Sequence, residues 1–246
     1  MRGTLYLIPN ALGAVALDRV IPEPVRAQTA SLEYFIAENA KSARAFLKLV
    51  STTHPLRQSL QDTHISELNV NTPAEQIPAL LTPLLQGHDV GLLSEAGVPA
   101  VADPGAELVR LAHHEGISVK PLVGPSSLLL ALMASGLNGQ SFAFHGYLPT
   151  DADARATRIR QLEQRSRQER QTQMLIETPY RNEAMLQALA STCAPNTLIC
   201  VATDLTLDTE SIRTCSAQQW QKEIAAGQLP SLKKRPSVFL LLASHP

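Results

Sequence analysis

The stretch from Ser94 to Gly105 reads Ser-Glu-Ala-Gly-Val-Pro-Ala-Val-Ala-Asp-Pro-Gly; it follows the apolar run Asp89-Val-Gly-Leu-Leu and precedes an amphipathic segment, Ala106 to Glu115. That order is strand, tight loop, helix. Small residues, prolines and polar groups at a strand's end are where an open parallel sheet holds a ligand. The chain then repeats the arrangement, with Ser118 to Val123 as strand, Gly124-Pro125-Ser126-Ser127 as loop and Leu128 to Ser135 as helix. Ser126 and Ser127 stand before that helix, where free amides and the helix dipole favour negative charge. They suit a polar group of a ligand and equally an ordinary N-cap, and the two roles can coexist. Two such loops point to one cleft. Neither is a dinucleotide fingerprint or a Walker motif, because the glycines are too sparse and no Gly-Lys-Ser/Thr follows.

Elements that would position these loops alternate almost throughout the 246 residues, as an α/β protein requires. Strands are predicted at Thr4 to Ile8, Tyr34 to Ala37, Asp89 to Ser94 and Ser118 to Val123, with a short one at His64 to Leu68. Helices are predicted at Ala43 to Val50, Pro73 to Gln86 and Ala106 to Glu115. The second half adds strands at Phe142 to His145, Thr172 to Glu177, Leu198 to Ala202 and Val238 to Leu242, and helices from Ala154, Asn182 and Ala217. Its connections are more varied, so its sheet is expected to be mixed. No Gly/Ser linker divides the halves. The boundary is placed at Gly124, giving domains 1–123 and 124–246.

A net charge of -1 gives no support to a globally basic nucleic-acid binder, while a local basic patch stays open. One candidate is the helix from Ala154 to Arg170, which carries Arg155, Arg158, Arg160, Arg165, Arg167 and Arg170 against Glu163 and Glu169. It would guide a polyanion, or simply keep a solvated face soluble; no aromatics interleave for base stacking. Cys193, Cys200 and Cys215 form no Cys-x-x-Cys pair and read as free thiols, and His113-His114 lacks helical metal spacing, so no metal is expected. The apolar run near the N-terminus is too short for a signal peptide or membrane span, which gives a cytoplasmic location as the expectation.

Ser94 to Gly105 resembles the Ser-Asp-Ala-Gly-x-Pro…Asp-Pro-Gly signature of the tetrapyrrole methylase family of S-adenosylmethionine-dependent methyltransferases. More narrowly, the chain resembles the branch containing the bacterial ribosomal RNA 2′-O-ribose methyltransferases. Gly3-Thr4-Leu5-Tyr6-Leu7 opens the likeness. Ala37-Glu38-Asn39-Ala40-Lys41-Ser42-Ala43-Arg44 is similar to that branch's Ala-Glu-Asp-Thr-Arg-x-x-Arg segment, and Pro121 to Ser127 to its Pro-Leu-Pro-Gly-Pro-Ser turn. Phe144 to Pro149, Glu177 to Arg181 and Ala202 to Thr206 resemble Phe-x-Gly-Phe-Leu-Pro, Glu-Ser-Pro-His-Arg and Arg-Glu-Leu-Thr segments in the same order. The chain also departs from the pattern, partly within these segments. Glu95 and Asn39 replace Asp, Lys41 replaces Arg, Asn10 and its successors replace Ile-Gly-Asn-Leu-x-Asp, and Thr63 to Asn69 replaces a His-x-His-Asn-Glu segment.

The resemblance implies a methyltransferase that takes its methyl group from S-adenosylmethionine. The donor's sulfonium already makes the methyl electrophilic, so the protein mainly aligns a nucleophile behind it. Donor contacts are then expected from Pro9, Ser94, Glu95, Ala96, Gly97, Val98, Val101, Ser126 and Ser127, where small residues let the main chain approach. Tyr147, Tyr180 and Leu205 are expected to line the donor pocket. For a hydroxyl acceptor, Glu38 is a candidate base and Arg44 a phosphate or transition-state contact, with structural ion pairing as the alternative for both. Asp103, before Pro-Gly, reads as a turn and helix-start residue. Together these expectations describe a cytoplasmic homodimer of two α/β domains, the first sheet mainly parallel and the second mixed, with a donor cleft between them. The acceptor is expected to be RNA, such as a ribose 2′-hydroxyl of ribosomal RNA. A tetrapyrrole or other small metabolite is the first alternative, and a non-catalytic S-adenosylmethionine-binding regulator the second.

Overall fold

The central strands of the first half are near-continuous runs of buried apolar residues, as in a sheet covered on both faces. The computed structural model describes residues 1–229 and 231–244 and divides into two units, Met1–Ser126 and Ser127–Pro246. The first runs β1 (Thr4–Ile8), α1 (Glu23–Ala30), β2 (Tyr34–Ala37), α2 (Ala40–Ser51), β3 (His64–Glu67), α3 (Thr82–Leu85), β4 (Val90–Leu93), α4 (Ala106–His114) and β5 (Ser118–Pro121). Its five strands are all parallel in the order β3-β2-β4-β1-β5. Tyr6, Ile8, Phe35 and Leu93 pack on one face with Phe46, Leu47 and Val50 of α2. Leu5, Ile36 and Leu92 pack on the other with Leu81, Leu84, Leu108 and Ala112.

The second unit runs α5 (Ser127–Ser135), β6 (Phe142–Tyr147), α6 (Ala152–Glu169), β7 (Thr172–Ile176), α7 (Asn182–Thr192), β8 (Leu198–Thr203), β9 (Ser211–Ser216), α8 (Ala217–Ala225) and β10 (Ser237–Leu242). The sheet order is β6-β7-β10-β8-β9. Only β6 and β7 are parallel; the other three pairings are antiparallel. Leu175, Phe239, Leu241, Ile199 and Val201 meet Ile159, Leu162, Leu186, Leu189 and Trp220 in one core. The Trp220 indole N–H donates to the Ile199 carbonyl at 3.0 Å, so this large side chain is buried without an orphaned donor. Asp151 caps α6 by accepting from Ala154 N at 2.8 Å, and Arg170 closes it in the left-handed conformation.

The sheet classes agree with the sequence, and three elements differ. The predicted helix from Pro73 to Gln86 is a 3-10 segment, Ala74–Leu81, followed by the single α-turn of α3. Pro78 and Pro83 remove amide donors and prevent one continuous α-helix. Helix α1 was not predicted, because its Glu-Pro-Val-Arg-Ala-Gln-Thr-Ala sequence buries only Val25, Thr29 and Ala30. Strand β9 also went unseen; it is a sheet-edge strand with mostly polar residues and no fully buried side chain.

Candidate functional site

Parallel strands β1, β2, β4 and β5 deliver their carboxyl ends to one edge of the first unit, and the loops that follow are the ones the sequence singled out. Asn10, two residues after Ile8, fastens the loop after β4. Its backbone N–H donates to the Gly97 carbonyl at 2.8 Å and its carbonyl accepts from Gly97 N at 3.1 Å. Its side-chain amide donates to the carbonyls of Ser94 and Glu95 at 3.2 and 3.1 Å. Ser94 is buried, and its hydroxyl donates to the Gly97 carbonyl at 2.8 Å. The loop therefore closes on itself and on Pro9-Asn10 through peptide groups. Gly97 has φ of 74°, and Ala100 and Ala102 have φ of 64° and 61°. Left-handed alanines are uncommon and concentrate where a ligand site over-determines the backbone.

The Gly124 turn belongs to the same edge. A Cβ at Gly124 would lie 2.2 Å from Pro9 Cγ, and one at Gly97 would approach the Pro125 carbonyl oxygen to 3.5 Å. At Gly124 only glycine lets the turn lie this close to Pro9.

Three carboxylates gather beside these loops. Burial pushes Asp103 up to about 6, and repulsion from Glu38 and then Glu95 adds to it. Glu38, at the end of β2, is raised by burial and then by Glu95. None of the three has an ion-pair partner among the described residues. Asn39 caps α2 by accepting from Lys41 N and Ser42 N at 2.9 and 3.1 Å, a role that Asn fills as well as Asp. Glu67 of β3 accepts from Ala40 N at 2.9 Å.

Loops at the ends of β7 and β8 in the second unit are held differently. Glu177, with its side chain 1% exposed, accepts from Arg181 at 2.6 Å and from Thr178 N at 2.6 Å. Asp204, with φ of 51°, accepts from Arg235 Nε and from the Thr209 hydroxyl, both at 2.7 Å. Asn182 donates to the Arg235 carbonyl at 2.6 Å and to Ser237 Oγ at 3.2 Å. These contacts fix the backbone that carries Tyr180 and Leu205.

Of the residues expected to hold a donor, Pro9, Ser94, Glu95, Ala96, Gly97, Val98 and Val101 lie together at the strand ends of the first unit, with Ser126 at the end of the Gly124 turn. Ser127 opens α5 in the second unit. Tyr147 and Tyr180 are exposed at the ends of β6 and beyond β7, while Leu205 is buried beyond β8. Glu38 is at the same edge as the loop of Ser94. Arg44 is an exposed residue of α2, with no ion pair to the carboxylates. Asn10 and Asp103 were missed as site residues. The departure at Asn10 marked its position but not its bonds, and Asp103 acquires its raised proton affinity only once β2 and β4 are adjacent.

A family model described as Tetrapyrrole (Corrin/Porphyrin) Methylases matches residues 24–221. The chain is 32% identical over 225 residues to the ribosomal RNA small subunit methyltransferase I of Xylella fastidiosa, covering 91% of this chain and 76% of that one. With the protein of the same name from Vibrio cholerae the identity is 28% over 209 residues, 85% of this chain and 67% of that one. Among solved structures, the methyltransferase CobJ superposes with a TM-score of 0.63 at 16% identity, covering 98% of this chain and 95% of that one. The cobalt precorrin-4 methyltransferase CbiF gives 0.57 at 13% identity, covering 97% and 94%.

Proposed function

We propose that this chain, which belongs to the tetrapyrrole (corrin/porphyrin) methylases and is a methyltransferase, uses S-adenosylmethionine as donor and ribosomal RNA as acceptor. The observation that carries the donor is the edge at Ser94 to Gly105, where left-handed small residues fastened by the Asn10 clamp stand beside three unmatched carboxylates. A ligand with a sulfonium and an ammonium relieves that repulsion, and small side chains let it approach the main chain. When bound, it supplies a methyl group already activated for transfer. Pro9, Ser94, Glu95, Ala96, Gly97, Val98, Val101 and Ser126 would hold and orient it. Ser127, Tyr147, Tyr180 and Leu205 are further donor contacts in this proposal, each to be checked by substitution.

The chain's own task is to align an acceptor oxygen and to receive its proton. A base works best with a proton affinity near the working pH. Glu38, raised by burial, is the carboxylate proposed as that base, while Asp103 is assigned to the donor's positive charge. Support for an RNA acceptor comes from the relatives, whose names place their activity on small-subunit ribosomal RNA. The same proposal sets the protein in the cytoplasm as a homodimer. Among the described residues no helix is long and apolar enough to cross a membrane, and α5 exposes Leu129 and Met133, which suit a second copy.

Labelled methyl transfer to small-subunit ribosomal RNA from cells lacking this protein tests the acceptor. The expected result is one labelled nucleotide, resistant to alkali at its 3′ side if the ribose 2′-hydroxyl is the acceptor. Label appearing on a tetrapyrrole or another small metabolite, and not on RNA, overturns it.

A further inference from the structure

Helix α6 carries more positive charge than its fold uses. Its buried stripe is Ile159, Leu162, Glu163 and Ser166, which leaves the arginines on its flanks. Arg158 and Arg165 are seven residues apart, so they share a flank about 10.5 Å apart along the axis; Arg160 and Arg167 repeat that spacing on the other. The carboxylates of the helix are largely committed. Glu163 is buried, accepts from Ala194 N at 2.7 Å and from the Thr197 hydroxyl, and so anchors the helix to the turn before β8. Glu169 pairs with Arg165 at 3.1 Å.

Among the described residues no carboxylate pairs with Arg155, Arg158 or Arg160. Arg155 donates to the Thr150 carbonyl at 3.0 Å. Arg158 reaches Gln161 Oε1 at 3.3 Å and His145 Nδ1 at 3.5 Å, a neutral amide and an imidazole. His145 is held from its other side by Gln173 Oε1 at 2.6 Å. Gln173 is fully buried and its amide donates to the Gln171 carbonyl at 3.1 Å, so the imidazole is fixed in place next to Arg158. Among the described residues Arg155, Arg158 and Arg160 thus stand without a carboxylate, and Arg165 has a single, half-exposed one in Glu169. Like charges gathered this way on a rigid helix are stabilised by an external anion, and the guanidinium fork matches phosphate oxygens in pairs.

We propose that the flank of α6 marked by Arg158 and Arg165, with His145 beside them, docks the phosphodiester backbone of the RNA acceptor. The inference rests on the RNA reading above. Phosphate contacts of this kind set position and affinity and carry no sequence choice.

The test is fluorescence anisotropy of the full chain on protein-free small-subunit ribosomal RNA across a salt series, with calorimetric titration of S-adenosylmethionine alongside. The Arg158→Gln/Arg165→Gln variant is expected to bind RNA at least tenfold more weakly. Its salt dependence should fall by about 1.5 in log–log slope, the value for two lost phosphate contacts, with donor affinity unchanged. Arg158→Lys/Arg165→Lys keeps the charge and loses the fork, so it should retain the wild-type slope with about threefold weaker binding; it also carries the test if the glutamine variant does not fold. Wild-type affinity and slope in both variants, while the wild type methylates RNA, overturn the docking surface and leave the acceptor reading standing. A wild-type chain that neither binds nor methylates RNA overturns both. Loss of binding to intact small subunits with unchanged binding to protein-free RNA assigns the surface to an acidic protein and likewise overturns the proposal.

Discussion

The strand-end loops of the two units treat charge in opposite ways. In the second unit the buried loop carboxylates are matched inside the fold, Glu177 by Arg181 and Asp204 by Arg235. In the first, Glu38, Glu95 and Asp103 share an edge without a basic partner among the described residues, and Asp103 is pushed up to about 6. Matched charge fixes a loop from within. Unmatched charge weakens the fold and is tolerated where a ligand completes it. The second unit thus closes its own buried network, and the first leaves open the edge proposed for the donor's positive charge.

The largest effect should come from opening the closed network. Asp204→Ala leaves Arg235 without its carboxylate and Thr209 without its acceptor, and urea unfolding should show a loss of about 3 kcal/mol. A loss near zero would mean that the pairing is ornamental and that the contrast between the units fails. Gly124→Ala comes next. The added methyl would stand 2.2 Å from Pro9 Cγ, which should cost about 2 kcal/mol in overpacking. Because Pro9 adjoins the Asn10 clamp, donor affinity should fall at least tenfold in the same variant.

Asp103→Asn should act in the opposite direction. A carboxylate whose folded pKa is raised from 3.8 to about 6 binds its proton more tightly in the native state. Its penalty is absent below about pH 4 and grows as pH rises through 6. The variant should therefore match the wild type at pH 4 and exceed it at pH 8 by about 1 kcal/mol, less than the full shift because water still reaches the group. Donor affinity should fall while stability rises. A variant that loses stability at pH 8 would show that Asp103 is a structural turn residue and nothing more.

Sequence made the strand-end loops legible because their chemistry is local. Small residues, prolines and serines at strand ends announce themselves at Ser94 to Gly105 and Gly124 to Ser127, and the core strands announce themselves by apolar runs such as Val90-Gly-Leu-Leu. Asp103 was not legible as a strained carboxylate. It meets Glu38 and Glu95 only because β4 returns to lie between β2 and β1, a crossover that local pattern does not encode. The Asn10 clamp is likewise a long-range product, joining residues 84 and 85 positions apart. Strand β9 and helix α1 escaped because each buries little, and the broken helix at Ala74–Leu81 shows prolines overriding a helical apolar pattern. Glu177-Thr178-Pro179-Tyr180-Arg181 stands out by resemblance, with Tyr180 as its expected donor contact, and its Glu and Arg bind each other.

The most direct test of the open site is calorimetric titration of the full chain with S-adenosylmethionine at pH 6.5, about midway between neutral and the raised carboxylate, in two buffers of different ionisation heat. Binding in the micromolar range is predicted, with net proton release, because a cationic donor pulls the Asp103 pKa down. S-adenosylhomocysteine, which lacks the sulfonium charge, should bind and release fewer protons. No binding of either compound at high micromolar concentration, or binding with no difference in proton release between them, would contradict the assignment of the unmatched carboxylates to the donor.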